Sequence, residues 1–156
     1  MYEFTEDCML HIDAIDEEHK RLFQMINEAF DLVEKTEDVT GITQSLIANL
    51  KDYTATHFAH EEAYMESIHD PELPLQKTEH AAFAKKINEF KLDTTSPRNA
   101  KRSLNDLLTY LVRWLYHHIL SSDMMIGKMT SENTPDRFAF TEQYRTEIQD
   151  RHHICR

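Results

Sequence analysis

Residues 57–66 read HFAHEEAYME, two histidines and three glutamates within ten positions. Imidazoles and carboxylates at this density can exchange protons, pair with one another, or hold a metal ion. Spacing separates these uses. His57 and Glu61 stand four apart and share one face of a helix. They also continue the apolar stripe Leu46, Leu50, Tyr53, His57, Glu61, Tyr64, Ile68, whereas His60 and Glu62 fall off it and are expected to face water. An imidazole and a carboxylate buried side by side cost several kcal/mol unless something compensates. Were the feature isolated, a hydrogen-bonded His–Glu pair would be compensation enough.

It recurs in every helix-length segment. The inward stripe of the first segment is His19, Leu22, Ile26, Phe30, Val33. That of the third is Gln76, His80, Phe83, Ile87, Phe90, and that of the fourth is Leu104, Leu108, Leu111, Leu115, His118, with Asp123 five residues on. His19 and His80 lie early in their segments; His57, Glu61, His118 and Asp123 lie late. In an up-down bundle that alternation brings all of them to one end, which predicts a shared metal site. Imidazoles with carboxylates suit iron, zinc, manganese or copper, and carboxylates able to bridge favour a two-metal centre. Asp123 stands about 140° round an ideal helix from His118. It can join only if the helix widens locally, as in a π-bulge, or if its end bends. His117 points about 100° off the stripe, so His118 is the better candidate.

The elements that must position these residues are marked by helix breakers. Pro71 and Pro74 fall in HDPELP, and Ser96–Pro97 and Thr134–Pro135 each pair an N-cap with a proline at the first helical position. Helices are predicted over 16–35, with Asp16 as N-cap, and over 40–68, 74–92 and 97–128. A fifth, weakly amphipathic segment follows at 135–151. Short connections make neighbours antiparallel. The expected fold is all-α: an up-down-up-down antiparallel four-helix bundle over residues 1–130, with a short C-terminal helical extension over 131–156 packed on it.

Composition agrees. The chain has 156 residues, enough for one domain with a real core, and only two glycines and four prolines, too few for a strand-and-turn fold. A formal charge of −11 disfavours nucleic-acid binding, because phosphates repel an acidic surface. No apolar run reaches transmembrane length, and the acidic start MYEFTEDCML is unlike a signal peptide. Cys8 and Cys155 are read as free thiols in a reducing cytosol. A cytoplasmic protein without membrane contact is expected, with homo-oligomerisation open.

The segments IDEEHKRLF, HFAHEEAYM, EHAAF and WLYHHILSSD together resemble the four helix signatures of hemerythrins, in particular single-domain bacteriohemerythrins, over residues 4–128. Each piece is weak alone; the combination is specific. The resemblance implies a cofactor of two iron ions with a bridging oxo or hydroxo group, and reversible O₂ binding. It implies that His19 and His57 hold the iron open to O₂, that His80 and His118 hold the other, and that Glu61 and Asp123 bridge. Phe58, Trp114, Leu115 and Ile119 match positions that wall the O₂ pocket, with ordinary core packing as the competing reading. One departure stands out: Gln76 occupies the place of a further histidine, in the same phase. Its carbonyl coordinates, or water fills the position, or Glu72, Glu79 or His69 reaches in. Glu79 and His69 are poorly phased, which favours Gln76 or water.

Two functions of different class follow. One is O₂ carriage, storage or sensing. The other is a di-iron oxidoreductase consuming O₂, peroxide or nitric oxide, favoured by the missing histidine. A bundle that has lost its metal is a third reading, disfavoured because six of seven expected ligands remain. A ferritin-like site needs two ExxH pairs, and only Glu66–His69 fits. The terminal RHHICR could bind metal or a partner, against the plainer reading of a solvated terminus.

Overall fold

The computed structural model describes residues 2–131, which form helices and no strand. The long helices are α1 (Asp13–Lys35), α2 (Thr40–Ser67), α3 (Leu73–Asn88) and α4 (Pro97–His118). A π turn, Ile119–Asp123, continues α4 without a break into the short α5, Met124–Ser131. The predicted helix at 135–151 and the extension over 132–156 lie outside the described residues.

Local sequence explains most boundaries. Ser96 caps α4, its hydroxyl accepting the Asn99 N–H at 3.0 Å, and Pro97 takes a first-turn position where no N–H is needed. α1 departs from expectation. It starts at Asp13, and Asp16 is not its cap. The Asp16 carboxylate is buried and accepts the backbone N–H groups of Leu10 and His11, at 2.7 and 2.9 Å. The preceding arm folds back over the helix start and takes the acceptor for itself. α3 also stops short of residue 92. The N–H groups of Glu89 and Phe90 bond back to the carbonyls of Lys85 and Ile87, which closes its last turn.

α1 packs against α2 and α4, α2 against α3, and α3 against α4, so the helices close a ring. The connections 36–39 and 68–72 are too short to run the length of a helix, so α1, α2 and α3 alternate in direction. Leu22, Ile26, Leu50, Phe83, Leu104, Leu108 and Leu111 fill the shared interior. The N-terminal arm seals one flank: the Tyr116 hydroxyl donates to the Glu3 carbonyl at 2.7 Å, and the Asn27 amide donates to the Tyr2 carbonyl at 2.7 Å. Cys8 is buried in this arm and is in no disulfide among the described residues; Cys155 lies outside them. No described helix is long and apolar enough to cross a membrane.

Candidate metal centre

The start of α1, the end of α2, the start of α3 and the end of α4 meet at one end of the bundle. They bring together His19, His57, Glu61, Gln76, His80, His118 and Asp123, none more than 4% exposed. Two groups form within this cluster. Glu61, His80, His118 and Asp123 make one, and His19, His57 and Glu61 the other; in each, the donor atoms lie within 4.8 Å of one another. Glu61 belongs to both. Its Oε1 is 3.0 Å from His57 Nε2 and 3.4 Å from His80 Nε2, and its Oε2 is 3.6 Å from His19 Nε2. Asp123 also spans the groups, with Oδ1 3.1 Å from His118 Nε2 and Oδ2 3.1 Å from His19 Nε2.

Asp123 reaches this place because of the π turn. Five residues overshoot a turn of α-helix, but a π turn takes more residues per revolution and carries Asp123 back beneath His118. The local widening that the spacing demanded is what the chain adopts.

Three of the four imidazoles are held from behind by carboxylates. His57 Nδ1–H donates to Glu18 at 3.0 Å, His80 Nδ1–H to Glu62 at 2.8 Å, and His118 Nδ1–H to Glu79 at 2.6 Å. A proton fixed on Nδ1 leaves Nε2 as a lone pair aimed inward, the arrangement metal-binding histidines use. His80 Nε2 and His118 Nε2 then face one another at 3.2 Å. Two lone pairs that close repel unless a proton or a cation lies between them. His57 Nε2, both Glu61 oxygens, Asp123 Oδ2, Gln76 Oε1 and both nitrogens of His19 are likewise buried without a hydrogen-bond partner. So many orphaned polar atoms, most of them acceptors, in one buried volume fit a pair of cations, since buried polar atoms are otherwise paired.

Titration in the bare cluster shows the same demand for positive charge. Burial opposes a charged His57, but Glu61 and Glu18 outweigh it and lift the imidazole from 6.5 to about 10. His118 is lifted to about 10 against burial by Asp123 and Glu79. Burial opposes ionisation of Glu61 too, yet His57, His19 and His80 hold it well below the ordinary carboxylate range. Protons and metal ions compete for such positions.

The remaining sequence candidates are placed as follows. Phe58 stacks on His80, ring centroids 4.0 Å apart, and Trp114 on His118 at 4.5 Å. Leu115 and Ile119 are buried in α4 and its π turn. Gln76 turns its amide N–H to Asp123 Oδ1 at 2.9 Å. Glu72 precedes α3 and is not in the cluster, and His69 sits in the turn after α2 with φ 54°. Glu79 touches the outer nitrogen of His118 and stays outside the cluster.

The sequence reading missed the outer carboxylates. Glu62, expected to face water, is spoken for by His80, and even the exposed His60 donates to Glu18 at 2.6 Å. A signal did exist. Glu18, Glu62 and Glu79 each adjoin an inward residue, namely His19, Glu61 and His80. A residue one step off the stripe leans toward the neighbouring helix, where it meets that helix's histidine.

The chain matches the family model described as the hemerythrin HHE cation binding domain over residues 10–130. It is 32% identical over 126 residues to a bacteriohemerythrin of Clostridium acetobutylicum, covering 79% of this chain and 96% of that protein. Bacteriohemerythrins of Stenotrophomonas maltophilia and Pseudomonas aeruginosa are 32% and 31% identical over 120 residues, each match covering 77% of this chain and 75% of the relative. No solved structure matches it significantly. A match of this extent, over helices that gather imidazoles and carboxylates into one buried cluster, places the chain in the hemerythrin family, with the bundle as its metal-binding domain.

Proposed function

We propose that this chain binds O₂ at a non-heme di-iron centre inside the bundle, as a carrier, store or sensor. The observation that carries the reading is the pair of Nε2 atoms of His80 and His118, 3.2 Å apart with both Nδ1 protons committed to carboxylates. His19 and His57 would hold one iron and His80 and His118 the other, with Glu61 and Asp123 spanning both. The unpartnered carbonyl of Gln76 is the protein group nearest in kind to the missing imidazole. The donor set also admits zinc or manganese; iron is chosen on family membership. When bound, an iron pair supplies a reducible centre at which O₂ can be taken up and released.

The protein's own part is to hold that centre dry and fixed. Phe58 and Trp114 stack on ligand imidazoles, and with Leu115 and Ile119 they would wall the O₂ pocket and exclude water. Residues 1–130 form the functional unit in this reading, and 131–156 an appended extension; the family match stops at residue 130. The test is direct. Iron-loaded, reduced protein should bind O₂ with a visible absorption change that reverses under vacuum. An iron-loaded protein with no such reversible change excludes O₂ carriage.

A second reading, a di-iron oxidoreductase, is favoured by one observation: Gln76 gives its N–H to Asp123, and among the described residues no third imidazole stands beside His80 and His118. A centre with fewer nitrogen donors is more open to substrate. Sustained consumption of peroxide or O₂ with a reductant supports it. Gln76→His should then suppress turnover several-fold, and unchanged rates reject that role for Gln76.

A further inference from the structure

The two halves of the cluster are not equally prepared for metal. Around His80 and His118 both outer nitrogens are tied to carboxylates, and Ser122 donates to Glu79 at 2.6 Å, fixing the fixer. Gln76 in turn holds the Asp123 oxygen that faces His118. In the other half, only His57 is anchored, through Glu18. His19 Nδ1 is fully buried and has no hydrogen-bond partner among the described residues. The ring packed near it from the N-terminal arm is Phe4, 6.4 Å between centroids, which can accept no strong hydrogen bond.

We propose that the centre is thermodynamically asymmetric: the His80–His118 position holds its metal tightly, and the His19–His57 position is the weaker, exchangeable one. This rests on the di-metal reading above. An outer carboxylate orients its imidazole and raises its basicity, and losing one costs about 10–100-fold in metal affinity. The position lacking one anchor should therefore be weaker by about that factor. A tight position beside an exchangeable one also allows a mixed-metal pair, with a second divalent ion taken up next to retained iron.

The experiment equilibrates iron-loaded, reduced full-length protein anaerobically against a graded series of a competing chelator and measures iron per chain. The expected curve has a plateau at one iron per chain, spanning at least about tenfold in free iron. His19→Ala should abolish the second step and leave the retained iron at unchanged affinity. Glu79→Gln, a change at a partly exposed residue that leaves the cluster intact, should weaken the retained iron by about 10–100-fold and shorten or erase the plateau. Loss of both irons in a single step, or loss of the tight iron in His19→Ala protein that keeps its helical circular dichroism, overturns the proposal while leaving a di-metal centre in place. Wild-type protein that never holds two metals overturns the di-metal reading itself, and this inference with it.

Discussion

A histidine in this cluster is defined by what lies behind it as much as by what it faces. Glu18 and Glu79 are held below the ordinary carboxylate range by the imidazoles they serve, although burial pushes the other way. The outer carboxylates therefore stay charged and keep a proton on each Nδ1, and in the bare protein a second proton on Nε2 of His57 and His118 occupies the place a metal would take. This sets the pH behaviour of the metal-depleted protein. His57 and His118 titrate near 10 when folded and near 6.5 when not, so the stability they add is complete below 6.5 and disappears as pH rises toward 10. Glu61 is depressed, so its contribution is present above about 4.5 and is lost as pH falls through its lowered value. Chelator-treated protein should melt at steadily lower temperature between pH 7 and 10. A melting temperature that is flat or rising over that range contradicts the assignment. Because these imidazoles are protonated at pH 7, metal uptake should also release protons, measurable with an indicator dye. Of this residue-scale picture, six of the inward seven were legible from the helical period, and Asp123 from its misfit to that period beside His118. The outer glutamates were not, because their partners sit on other helices and no period within one helix reports them.

At the scale of elements, two details of the α4 end matter. The π turn Ile119–Asp123 spends helical regularity on a function, aiming Asp123 at both halves of the cluster. The HxxxxD spacing made this legible, because a regular helix could not have used both residues. The second detail is Gly127 on α5. A Cβ there would lie 2.6 Å from the backbone carbonyl oxygen of Leu10, which belongs to the arm and cannot swing aside like a side chain. That arm is held by Asp16, and it also carries Phe4 against His19. Gly127→Ala should destabilise the fold by about 1–3 kcal/mol through overpacking, read as a lower urea midpoint. A midpoint equal to wild type shows that the arm is free to yield. The misplacement of the α1 cap has the same origin. Asp16 looks like a cap to any local rule, and only the folded-back arm decides that its oxygens point the other way.

For the whole molecule, the polar end of the bundle is a liability that metal converts into an asset. Glu61 and Asp123 are fully buried, and in the bare protein they are offset by imidazoles and, at Asp123, by the Gln76 N–H. Metal binding to the folded state alone should add about 2.7 kcal/mol per site at a hundredfold excess over Kd, roughly 5–10 °C in Tm for a domain of this size. Thermal scans at increasing free metal should show Tm climbing with the logarithm of concentration; a Tm independent of metal rules out a site formed only on folding. The sequence by itself determined the helices, their inward faces and the end at which the polar residues gather. Those follow from the helical period and from the order of early and late positions along the chain, which are properties of one dimension. Tertiary structure alone decided which carboxylate backs which imidazole, that His19 has none, and that Gln76 gives its N–H to Asp123. These are contacts between helices, set by side-chain reach across an interface, and no periodicity within a single helix encodes them.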